Sequence, residues 1–263
     1  MRTFLRAALT FVLAIGAGLA ILPGTASAAP TTDYVALGDS YSSGTGTGSY
    51  DLSSSCQRSS LAYPALWVAQ QGAASFTFAA CAGATTSSLR SGQLGGLSAA
   101  TDLVSVTIGG NDAGFSDTIT ACRLGSETDC FNRLNSASTF IQTTLPGRLD
   151  ATYADIRGRA PNARLVVLGY PRMYRTGFCW FEISDTRRTR INAVADLLAT
   201  VTAQRAAAAG ATFVDARGPW SGHEVCSSSP WLNGTTWPIG DSYHPNRSGY
   251  SLGYLPMLRG VAA

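Results

Sequence analysis

The chain has 263 residues, 19 basic and 16 acidic side chains, a formal net charge of +3 and six cysteines. Every non-histidine base is arginine, which excludes lysine nucleophiles and Schiff-base chemistry. Beyond the first 28 residues, 17 Arg face 16 acids, so charge gives no reason to expect nucleic acid or an anionic surface as the main partner.

The amino terminus carries Arg2 and Arg6, an apolar stretch from Ala7 to Leu22, then Pro23, Gly24 and the small tripeptide Ala26-Ser27-Ala28. This pattern is a secretory signal with cleavage after Ala28. The alternative, a membrane anchor, needs a longer run without the Pro and Gly interruption. Residues 29–263 are then expected to form a single extracellular domain, a monomer with no stable membrane insertion, since no repeat, linker or charge block divides them. Cys56, Cys81, Cys122, Cys130, Cys179 and Cys226 follow a secretion signal in even number, which predicts three disulfides. Metal binding is the competing reading, but there is no Cys-x-x-Cys pair and no histidine at ligand spacing. Sequence leaves the pairing open, although the closeness of Cys122 to Cys130 favours a local loop.

Apolar β-rich runs at Tyr34–Leu37, Phe76–Ala80, Leu103–Ile108, Leu165–Leu168 and Thr212–Val214 alternate with helical segments at Ala62–Gln71, Thr86–Leu94, Ser136–Arg159 and Asp185–Ala209. Short, nearly all-apolar strands alternating with helices predict a parallel sheet buried on both faces. In such sheets, sites gather at the carboxyl edge. The first strand exits through Gly38-Asp39-Ser40, the second through Cys81-Ala82-Gly83, the third through Gly109-Gly110-Asn111-Asp112, and the fourth through Gly169-Tyr170-Pro171-Arg172. After the fifth, a Gly-, Pro- and Trp-rich loop leads to Asp241-Ser242-Tyr243-His244, and Arg247–Leu258 reads as a closing helix.

A serine is informative only beside a base and an orienting acid. The chain offers two histidines, His223 and His244. His244 has Asp241 three residues before it, within one turn bounded by Gly240 and Pro245. A carboxylate on Nδ1 leaves Nε2 free to take the proton of Ser40. His223, beside Glu224, lacks such a frame and reads as a loop histidine near the site. The acid limb of activity is then expected near the ordinary histidine value of about 6.5, shifted by its surroundings. Donors for a developing oxyanion are available at three strand exits: the N–H of Ser40, that of Gly83 and the side-chain amide of Asn111. The tetrapeptide Gly-Asp-Ser-Tyr occurs twice, at Gly38 and Gly240, and only the first copy follows a strand.

With Gly-Asp-Ser after the first strand, Gly83, Gly-x-Asn-Asp at Gly109–Asp112 and Asp-x-x-His at Asp241–His244, the chain resembles the SGNH, or GDSL-type, hydrolases, in the wording of secreted actinomycete lipases and phospholipases. The resemblance spans nearly the whole mature chain. It implies a three-layer α/β/α sandwich with a five-stranded parallel sheet, Ser40 as nucleophile, His244 as base, Asp241 as its orienter, and an oxyanion hole of Ser40, Gly83 and Asn111. Some relatives use a backbone carbonyl in place of the carboxylate at the Asp241 position, but the Asp present here favours a full triad. It also implies sequential disulfides: Cys56 with Cys81, Cys122 with Cys130, Cys179 with Cys226. The Gly-x-Ser-x-Gly elbow of the larger α/β hydrolases is absent.

The function expected is hydrolysis of lipid-like carboxylic esters through a serine acyl-enzyme, without metal or organic cofactor. Two alternatives stand beside it. A carbohydrate O-acetylesterase could use Trp220, Trp231 or Trp237 to stack on sugar rings, although the same side chains could equally line an acyl groove or serve only in packing. A secreted binding protein would keep the fold without turnover.

Overall fold

The structure, a computed structural model, describes residues 31–180 and 182–262. The secretory signal expected over 1–28 lies outside them. Five parallel strands, β1 (Asp33–Gly38), β2 (Ser75–Phe78), β3 (Leu103–Thr107), β4 (Arg164–Leu168) and β5 (Thr212–Val214), form one sheet in the order β2-β1-β3-β4-β5. The central strands β1, β3 and β4 are buried almost throughout, whereas β2 and β5 at the edges are partly exposed. That distribution explains why the central runs read as continuous apolar segments rather than alternating ones. Two apolar clusters cover the two faces of the sheet, one including Tyr34, Ala36, Leu103 and Val166, the other Val35, Leu37, Val104 and Leu165. Alternate residues of each strand therefore feed opposite layers, as the period of two requires.

Eight helices follow: α1 (Ser40–Ser43), α2 (Tyr63–Gln71), α3 (Thr86–Gly92), α4 (Phe115–Leu124), α5 (Glu127–Thr143), α6 (Leu145–Arg159), α7 (Asp185–Ala208) and α8 (Leu255–Ala262) among the described residues. The single helix expected over Ser136–Arg159 is in fact two. Pro146, in the first turn of α6, has no N–H to give to the preceding turn, and the chain restarts there. α5 begins well before Ser136, at a capping box in which Ser126 and Asp129 satisfy each other's backbone N–H groups. The closing helix is shifted as well: Gly249–Tyr254 is a wide π-type turn that leads into α8.

Three disulfides join Cys56 to Cys81, Cys122 to Cys130 and Cys179 to Cys226, the pairing that the resemblance implies. The second staples α4 to α5, and the first ties the long loop after α1 to the exit of β2. Among the described residues no helix is long and apolar enough to cross a membrane.

In this strand order the chain leaves β1 towards β2 on one side and returns to β3 on the other. The loops after β1 and β3 diverge at that switch point and open a crevice at the carboxyl edge. Ser40 and Asn111 lie on those two loops.

Candidate active site

The turn that carries Ser40 is shaped by close approach. Gly38 has φ +127°, and a Cβ there would stand 2.5 Å from the Thr107 carbonyl oxygen of β3. Gln93 lies against the same residue: the Gly38 N–H donates to Gln93 Oε1 and Gln93 Nε2 donates to the Gly38 carbonyl, both at 2.8 Å. The side-chain amide thus stands in for a neighbouring strand at the place where β1 ends. Asp39 caps α1, its Oδ1 accepting from the Tyr41 N–H at 2.9 Å. Ser40 is the first residue of that helix, so its own N–H has no acceptor within it.

His244 arrives from the far end of the chain. Its Nε2 lies 2.8 Å from Ser40 Oγ, and its Nδ1 lies 2.9 Å from the Ser242 carbonyl. Facing a carbonyl, Nδ1 carries the proton, which leaves Nε2 as the acceptor for the serine hydroxyl. The expectation that the Asp241 carboxylate orients Nδ1 is therefore corrected. Tyr243 between Ser242 and His244 adopts the left-handed φ of +61°, which folds the chain back so that the Ser242 carbonyl meets the ring. The Asp241 carboxylate instead accepts a short hydrogen bond from the Tyr50 hydroxyl, and Asn233 Nδ2 holds the Asp241 carbonyl at 3.2 Å. Burial lowers the imidazole of His244 to about 4, against the opposing pull of the Ser242 carbonyl and the Asp241 charge. The ring is thereby held neutral.

The third strand exit contributes Asn111. One hydrogen of its Nδ2 goes to the Ala84 carbonyl at 2.9 Å, which leaves the second for a ligand. The adjoining Asp112 fastens this loop to α3, accepting from the Thr86 N–H at 2.8 Å and its hydroxyl at 2.6 Å, while Arg148 Nη1 donates to it at 3.1 Å. Gly83 sits at the second strand exit with φ +78°, exposed, and no heavy atom lies within 4 Å of where its Cβ would be. The amides beside it are committed: Cys81 to the Gly38 carbonyl, Ala82 to that of Cys56, Ala84 to that of Cys81.

A cleft of about 690 Å³, open solvent at its mouth included, runs from Ser40 and Asn111 between α4, α5 and α7. Its deeper walls are apolar, with Ile119, Leu134, Ala137, Ile141, Val194 and Leu198 among them. None of the three tryptophans considered for sugar stacking lines it. Trp220 is buried against Tyr254, Trp231 stacks on His223 with ring centres 3.7 Å apart, and Trp237 is 88% exposed. His223 is engaged in that stacking and in a 2.7 Å contact between its Nδ1 and the Ser229 carbonyl. Among the described residues no three His, Cys, Asp or Glu side chains converge as a metal site.

Several residues around Ser40 carried no signal of their own in the sequence. The Tyr41 hydroxyl donates to the Tyr243 carbonyl at 2.6 Å and so ties the nucleophile helix to the histidine loop. Tyr50 and Gln93 act through contacts that link distant segments, and the Ser242 carbonyl through a local fold of the chain. Tyr170 lay at a strand exit, the one feature that could have drawn attention to it.

A model of the GDSL-like lipase/acylhydrolase family matches residues 36–252. The chain is 53% identical over 257 residues to Lipase 1 of Streptomyces coelicolor, covering 96% of each chain. Two solved structures, an extracellular lipase from Streptomyces rimosus and phospholipase A1 from Streptomyces albidoflavus NA297, superpose with TM-scores of 0.86 and 0.85, each at 52% identity. They cover 88% and 87% of this chain and are themselves covered to 99% and 98%. With this similarity along nearly its whole length, the chain belongs to the GDSL-like lipase/acylhydrolase family and is an ester-hydrolysing enzyme.

Proposed function

We propose that the chain is a secreted lipase-type hydrolase in which Ser40 attacks the carbonyl carbon of an acyl ester whose chain lies in the apolar cleft. The observation that carries this assignment is the 2.8 Å contact between Ser40 Oγ and the neutral, buried Nε2 of His244. His244 takes the hydroxyl proton as the bond between Ser40 Oγ and the acyl carbon forms. It then delivers that proton to the departing alkoxide as the ester C–O bond breaks. Water repeats the sequence on the acyl-enzyme and frees the acid. The Ser242 carbonyl orients the imidazole, and the N–H groups of Ser40 and Gly83 with the Asn111 amide receive the oxyanion, a role in which one donor is worth about 2.7–4 kcal/mol.

A lipid-like acyl chain is favoured over acetylated carbohydrate by the apolar depth of the cleft and the absence of tryptophan from its lining. The lipase and phospholipase A1 names of the similar proteins support the same substrate class. Three disulfides agree with an oxidising, extracellular setting. Ser40→Ala is expected to abolish turnover of a chromogenic acyl ester while the circular dichroism spectrum and melting temperature stay near wild type. Wild-type turnover in that variant would remove Ser40 from the chemistry.

A further inference from the structure

Between the exits of β1 and β3 stands a phenol that the mechanism above does not use. Tyr170, from the exit of β4, donates a short hydrogen bond to Asp39 Oδ2 and accepts one from the Gly110 N–H at 3.1 Å. Asp39, 1% exposed, precedes Ser40, and its other oxygen already accepts from the Tyr41 N–H. Gly110 precedes Asn111 and is pressed against the same phenol: a Cβ on it would lie 3.2 Å from Tyr170 Cζ and from the hydroxyl oxygen. The last registered pair of β1 and β3 is Gly38 with Thr107. Beyond that pair a single backbone bond remains, from the Asp39 N–H to the Thr107 carbonyl at 3.0 Å, and the two loops then part at the switch point.

We infer that Tyr170 is a positioning residue whose hydroxyl, bridging Asp39 to Gly110, sets the separation between the Ser40 N–H and the Asn111 amide. Each end of the bridge is one residue from an oxyanion donor, so a small change in its length moves both donors relative to the reacting carbon. The inference rests on the assignment of Ser40 and Asn111 as oxyanion donors. A positional error of about 1 Å in such a constellation can cost on the order of a hundredfold in rate. When Asp39 is ionised the bond is charge-assisted, which makes it a stiffer strut than a neutral pair. The aromatic ring of Tyr170 also lines the cleft, so the test keeps the ring and removes only the oxygen.

Tyr170→Phe is expected to lower kcat for a soluble acyl ester by about ten- to a hundredfold with KM within about twofold of wild type. Affinity for a trifluoromethyl ketone of matching chain length, which presents an oxyanion once the serine adds, is expected to fall by the factor lost in kcat/KM. Affinity for the corresponding fatty alcohol, which fills the cleft without an oxyanion, is expected to stay unchanged. Unchanged kcat, or equal losses for ketone and alcohol, would overturn the inference, the latter by reducing Tyr170 to a cleft wall. Should Tyr170→Phe fail to fold, Asp39→Asn replaces the charged acceptor at constant volume and is expected to give the same selective loss for the ketone, several-fold in size; no selectivity there overturns the inference equally. Wild-type kcat and ketone affinity in Asn111→Ala would instead remove the underlying oxyanion assignment, so the two failures are distinguishable.

Discussion

At the scale of single residues, the Asp-x-x-His spacing was legible but the acceptor on Nδ1 was not. Either Asp241 or a backbone carbonyl can reach the ring from one turn, and the choice is made by the left-handed φ of Tyr243 together with Tyr50, which draws the carboxylate away. Neither is visible in a tetrapeptide. In serine proteases whose carboxylate holds Nδ1, Asp→Asn costs about 10⁴ in kcat. Here the Ser242 carbonyl keeps the tautomer, so Asp241→Asn is expected to lose less than about tenfold in kcat/KM. A loss of about a thousandfold or more, measured by initial rates on a soluble ester, would return the carboxylate to the ring. The pH profile is revised in the same way. The base must be neutral to act, and its pKa is lowered to about 4 by burial. Burial lifts Asp39 the other way, to about 7, although its bonds from Tyr170 and Tyr41 oppose the rise and the nearby Asp112 charge adds to it. As pH falls, kcat/KM is expected to show a shallow step near 7, where the Tyr170 strut loses its charged acceptor, and full loss only near 4. Asp39→Asn is expected to erase the upper step and keep the lower one; a single limb near the ordinary histidine value would contradict both shifts.

At the scale of elements, the strands were read almost to their ends because buried central strands write themselves as apolar runs. Helices were harder: α4 was missed and α5 merged with α6, since their polar, serine- and threonine-rich surfaces dilute the period and only Pro146 marks the break. The turn after β1 shows what sequence can and cannot supply. A glycine before Asp-Ser is a readable turn signal, but the reason for it is the Thr107 carbonyl of a strand that lies about seventy residues on. Gly38→Ala places a Cβ 2.5 Å from that oxygen and imposes φ +127° on an L-residue. The expected cost is about 2–4 kcal/mol of stability, from strain and close contact together. Chemical denaturation reads it as a lower midpoint with an unchanged slope. A midpoint equal to wild type would mean that β1 and β3 can part at that pair without penalty.

At the scale of the whole molecule, the strand order determines where chemistry can occur, and the helical layer determines what fits. Alternation of strands and helices was enough to expect a parallel sheet with a site at its carboxyl edge, and the motif positions on four strand exits pointed to the same edge. The cleft was not legible, because it is made by side chains from α4, α5 and α7 that share no motif and meet only when the layer packs. Small residues are among those that line it, notably Ala137 on α5 and Ala195 on α7. Ala137→Phe adds a ring to the cleft wall while leaving Ser40, His244 and Asn111 unsubstituted. Over-packing of this kind costs about 1–3 kcal/mol of stability, so absolute rates alone would be ambiguous. The ratio of kcat/KM for a decanoyl ester to that for an acetyl ester within one preparation cancels the active fraction. That ratio is expected to fall by at least about tenfold, since a single mis-accommodated methylene is already worth about 1–3 kcal/mol in an apolar pocket. An equal decline for both esters would mean that the acyl chain lies outside this cleft.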